Sequence, residues 1–205
     1  MLVRARCCAI LVLLSWTACT SLAPGPHAAD ATTLPAVELT QEQREAVMRD
    51  ESAAILAVSR QGYANARRLA ERVLALEPRS ARARAVLGLT MLERAAQQGP
   101  SDWRVPREGE TQLVLARQIA PGDAMVAWLN AIFLAETGHL SAAAAAAEAG
   151  LGAATDAPLA DRAVLLGAAG TYRYELGELV GALPHLQAYI APRPDDADAA
   201  VPIGW

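Results

Sequence analysis

The sequence predicts an all-α domain, and three observations predict it. Alanine fills 47 of 205 positions, and all 18 basic residues are arginine. Ala, Leu, Arg and Glu are strong helix formers. Strand-forming residues are scarce, with nine aromatics and a single Phe, which excludes an all-β sandwich. Small residues, Gly and Pro also recur along the chain at matching intervals. Charged residues at 20%, together with abundant Leu, Val and Ala, exclude a wholly disordered chain. A net charge of −4 argues against a general nucleic-acid binder.

The first element is a leader, residues 1–18. Arg4 and Arg6 form its positive start, and Cys7 to Trp16 form an apolar stretch of ten residues. A membrane-spanning helix needs about 20 such residues, so the stretch reads as a signal peptide. All three cysteines, Cys7, Cys8 and Cys19, lie in the first 19 residues. The later body therefore has neither a disulfide framework nor a thiolate metal site. The segment Leu14-Ser15-Trp16-Thr17-Ala18-Cys19 resembles a bacterial lipobox, with Ala18 as the small residue before the cysteine and Trp16 departing from the usual Leu. That resemblance implies lipidation of Cys19. Thr20, where retention in the inner membrane would favour Asp, implies the periplasmic face of the outer membrane. The alternative is an ordinary signal peptide cut at Ala29-Asp30-Ala31, giving a soluble periplasmic or secreted protein.

Residues 19–39 hold Pro24, Pro26, Pro35 and small polar residues with no apolar period. They read as a flexible tether with a root-mean-square span of roughly 25 Å. The first helix is expected over Gln41–Arg60, because Thr40 followed three residues later by Gln43 is a capping-box pattern.

The body, residues 40–196, is a repeat array. Gly62-Tyr63-x-x-Ala66 leads to Pro78, Gly177-Glu178-Leu179-x-x-Ala182 leads to Pro194, and Gly138-His139-Leu140-x-x-Ala143 repeats the opening half. These residues resemble the tetratricopeptide repeat, a 34-residue helix–turn–helix unit. The resemblance sets four repeats. The first covers about 47–80, with Tyr63, Ala66 and Pro78 in place. The second covers about 81–123, with Leu87-Gly88, Ala116, Ile119 and Pro121, and carries nine extra residues near 95–107. The third covers about 124–157, with Gly138, Leu140 and Ala143, and lacks the closing Pro. The fourth covers about 163–196, with Gly170, Gly177, Leu179, Ala182 and Pro194.

Gly62, Gly138 and Gly177 stand where the turn between paired helices needs a positive φ or a C-cap. Pro184 falls inside the last helix and predicts a kink or a late start. Residues 197–205 begin like a fifth repeat, with Ile203-Gly204 at the Leu-Gly positions, before Pro202 and the end of the sequence interrupt it. The fold implied by the resemblance is a right-handed α-solenoid of about four repeats.

Catalytic chemistry finds no motif. His27, His139 and His185 make no metal-binding pair, and the chain has neither a nucleophile elbow nor a P-loop. Gly152, Gly167 and Gly170 follow no strand and read as helix-packing glycines rather than a nucleotide loop. No catalytic residue, cofactor, metal or small-molecule substrate is expected. The resemblance instead implies a partner-binding groove lined by the first helix of each repeat: Glu51, Ile55 and Val58; Arg82, Leu89, Leu92 and Glu93; Trp128, Ile132 and Glu136; Thr171, Tyr174 and Glu175. Trp103, between Asp102 and Arg104 in the insertion, is a further candidate contact. Apolar anchors mixed with carboxylates suit a peptide or partner helix of basic character.

Glu51 and Ile55 stand where the chaperone-binding members of the family clamp a terminal carboxylate with Lys and Asn, and Lys is absent, so that partner class is not expected. The expected function is a non-enzymatic scaffold for envelope proteins, in pilus or secretion-system assembly. The alternative is an adaptor for a cell-wall hydrolase or an outer-membrane assembly machine.

Overall fold

In the computed structural model, residues 30–98 and 104–191 are described, side chains at 30–92 and 107–191. Cys19 and Trp103 lie outside them, and so does the tail 197–205. Eight helices follow in order: α1 (Gln41–Ser59), α2 (Tyr63–Leu76), α3 (Ala81–Gln98), α4 (Arg104–Ile119), α5 (Ala124–Glu136), α6 (Leu140–Ala153), α7 (Leu159–Glu175) and α8 (Leu179–Ile190). No strand occurs among the described residues.

The starts and stops have local causes. α1 opens on the expected capping box: the Thr40 hydroxyl accepts from Gln43 N, and the Gln43 side chain accepts from Thr40 N. Such a box satisfies two of the helix's orphan donors. Asp123 caps α5 by accepting from Val126 N, and the Ser80 hydroxyl accepts from Ala83 N at the start of α3. Pro78 and Pro121 each lie just past the end of an even helix, where a residue without an amide hydrogen stops the chain from continuing helical.

Helices are packed in neighbouring pairs: α1 on α2, α3 on α4, α5 on α6, α7 on α8. Each even helix also packs on the next odd helix. Odd helices contact the next odd helix in file, whereas no even helix touches another even helix among the described residues. One layer therefore holds α1, α3, α5 and α7, and the other holds α2, α4, α6 and α8.

Small residues stand where the paired helices cross. Ala54 and Ala66 are fully buried in the first pair, as are Ala131 and Ala143 in the third. In the second pair Gly88 faces Gly109, and a Cβ on either would lie 2.6 Å from the other's carbonyl oxygen. In the fourth pair Gly170 lies against Leu186, with Ala182 buried. The core divides into two clusters that share α5. The first is built on Val73, Val86, Leu113 and Leu129, the second on Met125, Leu165 and Ala169.

Three expectations need correction. The positive φ of the first turn falls on Gln61 (φ 57°), not Gly62, while Gly138 (81°) and Gly177 (79°) are placed as expected. The three turns share one hydrogen-bond pattern. Gln61, Gly138 and Gly177 donate to Val58, Ala135 and Tyr174, and the next residues donate to Ala57, Leu134 and Arg173. This is the Schellman closure, in which the residue just past the cap is left-handed. Gln61 occupies that position, and Gly62 is one step too late.

Second, the tether does not extend to residue 39. Ala31–Thr33 form a 3-10 turn packed on α4; Ala31 is buried and donates its amide to Gln118 Oε1 at 3.0 Å, and Leu39 packs on the first core cluster. Third, of the kink or late start expected at Pro184, the late start does not occur: α8 begins at Leu179, five residues before Pro184, and stays helical through it.

Candidate functional site

The face of the odd helices brings most of the candidate residues together, and a polar ladder runs along its edge at the N-terminal ends of α3, α5 and α7. Arg82, in the first turn of α3, donates from Nε to Asp123 Oδ2 at 2.8 Å and lies 3.6 Å from Asp161 of α7. Asp123 thus caps α5 with one oxygen and holds Arg82 with the other. α3 and α7 make no backbone contact, so Arg82 reaches past α5 by side chain alone. Burial works against the charge on Arg82, but the hydrogen bond and field of Asp123, with Asp161 and Glu51, outweigh it and raise its pKa. Each of these partly exposed pairs contributes at most about 1 kcal/mol.

Glu51 joins the ladder through Ser80, whose hydroxyl donates to Glu51 Oε1 while capping α3. Burial pushes the Glu51 carboxyl above its ordinary value; the Ser80 hydrogen bond and Arg82 offset part of the rise. Glu51 therefore holds a helix joint as well as lining the face.

Apolar candidates follow in the middle of the face. Ile55 and Trp128 are half-buried, and both pack against the two core clusters, so Ile55 of α1 reaches the cluster of α5, α6 and α7. Ile132 and Leu92 are half-buried against the first cluster. Leu89 is only 2% exposed and Val58 is buried as well. These two are core residues and drop out of the candidate set. The repeat resemblance assigns a position to a face but not to a depth, which is why it grouped them with Ile55 and Ile132.

Glu136 and Glu175 are exposed at the far end, Tyr174 is 60% exposed, and Thr171 is half-buried. Tyr172, which the sequence did not single out, is half-buried here. Burial raises its phenol pKa, and the nearby Glu175, Glu136 and Tyr63 raise it further. Tyr63 opens α2, so an even helix also contributes near this end. Tyr172 and Tyr174, two residues apart in the sequence, were the available signal, and burial separates them: Tyr172 is half-buried and Tyr174 exposed. The carboxylates Glu51, Asp123, Asp161, Glu136 and Glu175 outnumber Arg82 among these residues. Glu93 lies in α3, with its side chain outside the described set.

Arg84 and Arg173 each hold a joint between elements. Arg84 is buried and donates from Nε to the Pro78 carbonyl at 2.8 Å and from Nη1 to Gln112 at 2.7 Å, tying the α2–α3 loop to α4. Without a carboxylate beside it, burial lowers its pKa. Arg173 of α7 grips Glu148 of α6 through two hydrogen bonds of 2.8 and 2.7 Å, and also pairs with Glu178. The Arg173 hydrogen bond holds the Glu148 carboxyl below its ordinary value. His185 Nε2 lies 3.3 Å from Glu148, and His139 Nδ1 lies 3.1 Å from the Thr137 hydroxyl. Among the described residues no group of three His, Cys, Asp or Glu could hold a metal ion, and no helix is long and apolar enough to cross a membrane. Comparison with models of known protein families and with curated proteins returns no match for this chain.

Proposed function

We propose that this chain is a non-enzymatic scaffold whose odd-helix face binds a protein partner. On this reading it is a tetratricopeptide-type array of four repeats, coiled as a right-handed solenoid with the odd helices on the concave side. The contact order carries the reading: odd helices touch odd helices in file, even helices touch only odd ones, and small residues mark each crossing. Stacked units of this kind leave one extended face formed by several helices. Ile55, Trp128 and Ile132 supply apolar anchors on it, and Glu51, Glu136, Tyr174 and Glu175 supply a polar, acidic surround. A peptide or partner helix with apolar and basic residues complements that surface. The lipobox-like segment supports a location in the bacterial envelope, with the scaffold anchored through a lipid on Cys19 at the periplasmic face of the outer membrane. Pilus or secretion-system assembly is the process proposed for it.

Cross-linking pull-down from envelope membranes tests the binding claim, with the wild type compared with a Glu136→Arg/Tyr174→Ala double variant. Both positions are exposed, so the fold tolerates the change. The wild type is expected to capture an assembly subunit, and the double variant to lose at least about tenfold of it, the scale of a single hot spot. Equal capture by both, or recovery of no envelope protein, would overturn the reading. Labelling with a radioactive fatty acid tests the anchor separately: the label is expected on the wild type and absent from Cys19→Ala.

A further inference from the structure

Glu136 and Glu175 are the last residues of α5 and α7. Each lies five residues after the crossing position of its helix, Ala131 or Gly170, and Glu93 stands five after Gly88 on α3. The three acidic positions therefore share one register and form a row, one to each odd helix. α3 contacts α5 and α5 contacts α7 in file, so the row steps from helix to helix at the spacing of packed helices, about 8–10 Å. One turn before it, on the same side of each helix, come Ile132 and Thr171, and Trp128 lies a further turn back on α5; all three are half-buried. Trp128, Ile132 and Glu136 thus form one stripe on α5, apolar at its start and acidic at its end.

The fold leaves Glu136 and Glu175 unpaired. Asp123, Asp161, Glu148 and Glu178 each meet an arginine, and Glu51 meets Ser80. Glu136 and Glu175 are exposed and form no hydrogen bond or ion pair among the described residues. Both sit at helix C-termini, where the macrodipole disfavours an anion. Their charge is felt at Tyr172, whose pKa they raise, and Tyr172 packs in the cluster that Ile55 and Trp128 also join. Unpaired anions beside half-buried apolar side chains complement a ligand that is both cationic and apolar. The spacing selects its form. Seven residues of an α-helix rise about 10.5 Å and make nearly two turns, so cations at every seventh position fall on one side at close to the spacing of the row. In an extended strand, residues on one side stand about 6.6 or 13 Å apart, and neither spacing matches.

We propose that the odd-helix face takes an amphipathic helix laid across α3, α5 and α7, with Arg or Lys at every seventh position to meet Glu136 and Glu175 and apolar residues between them to meet Trp128 and Ile132. The proposal rests on the reading that this face binds a protein partner, and it names the chemistry of that partner. Two labelled synthetic helices of the same composition test it, one with its arginines seven apart and the other with them five apart, titrated against the full chain by fluorescence anisotropy. The first is expected to bind at least about tenfold more tightly than the second, and the Glu136→Arg/Glu175→Arg variant to weaken it by about tenfold or more. The same variant is expected to bind a third helix, with glutamates in place of those arginines, more tightly than the wild type does, a gain that only a folded chain can show. Equal affinity for the first two helices, or an affinity that the double variant leaves unmoved, would overturn the proposal. With that result, a pull-down that still separates the wild type from Glu136→Arg/Tyr174→Ala means that the proposal falls alone and the scaffold reading stands; a pull-down that does not separate them means that both fall.

Discussion

The α1–α2 and α3–α4 crossings occupy the same place in successive repeats and solve it differently. Ala54 and Ala66 keep their methyl groups, and both are fully buried. Gly88 and Gly109 have no methyls, and their backbones close until a Cβ on either would sit 2.6 Å from a carbonyl oxygen. Small residues thus fill both positions, and at Gly88 and Gly109 the absence of Cβ is what permits the close approach. The closer pair is also the one that carries the inserted residues between its helices. Its joint is held further by Arg84, which links the α2–α3 loop to Gln112 of α4.

Substitution at the two crossings gives the largest expected effect. Gly109→Val drives a branched side chain into the Gly88 carbonyl and the Phe133 ring, and is expected to cost about 3 kcal/mol, the upper range for overpacking. Ala54→Gly at the looser crossing is expected to cost only about 1 kcal/mol, mostly through backbone entropy. Urea unfolding of both variants measures the difference, and equal losses would break the comparison.

A smaller effect comes from the turns that close the same helix pairs. Gly138→Ala forces a side chain into a left-handed residue and is expected to destabilise by about 1 kcal/mol. Gln61→Gly relieves that same conformation in the first pair and is expected to stabilise by about 1 kcal/mol. Thermal melts of the two variants should move in opposite directions.

The smallest effect is a pH dependence of opposite sign at two joints. The Glu51 carboxyl is raised above its ordinary 4.5 in the folded chain, chiefly by burial. Its ionisation therefore costs stability that is fully present below 4.5 and is lost as pH rises through the folded value. The Glu148 carboxyl is lowered, chiefly by the Arg173 hydrogen bond. Its contribution is present above 4.5 and is lost as pH falls through the folded value. Relative to the wild type, Glu51→Gln should gain stability as pH rises from acid to neutral, while Glu148→Gln should be most destabilised near neutrality. Melting curves over that range check both signs.

What could be read from the sequence was local. The Thr40–Gln43 box spans four residues, and both partners are recognisable types, so the start of α1 was legible to the residue. The crossing alanines were legible because they recur at one spacing. Gln61 was missed because Gly62 beside it offers the residue type a left-handed turn wants; aligning on Ala66 and Ala143 selects Gln61 instead. The docking of Ala31 on Gln118 joins residues 87 apart in the chain, and no local pattern announces it. The candidate face divided along the same line. Ile55, Trp128, Ile132 and Glu136 were grouped on one face by the repeat resemblance rather than by any local pattern. The burial of Leu89 and the reach of Arg82 to Asp161 depend on how far the odd helices close on one another.

The claim that the odd-helix face meets a partner is tested most directly by a photo-reactive residue placed at one of two exposed positions in living cells. One is Glu136 on odd helix α5, and the other is Arg68 on even helix α2. The account predicts a discrete adduct with an envelope protein from position 136 and none from position 68. Adducts of equal yield from both positions, or an adduct from position 68 alone, would contradict it.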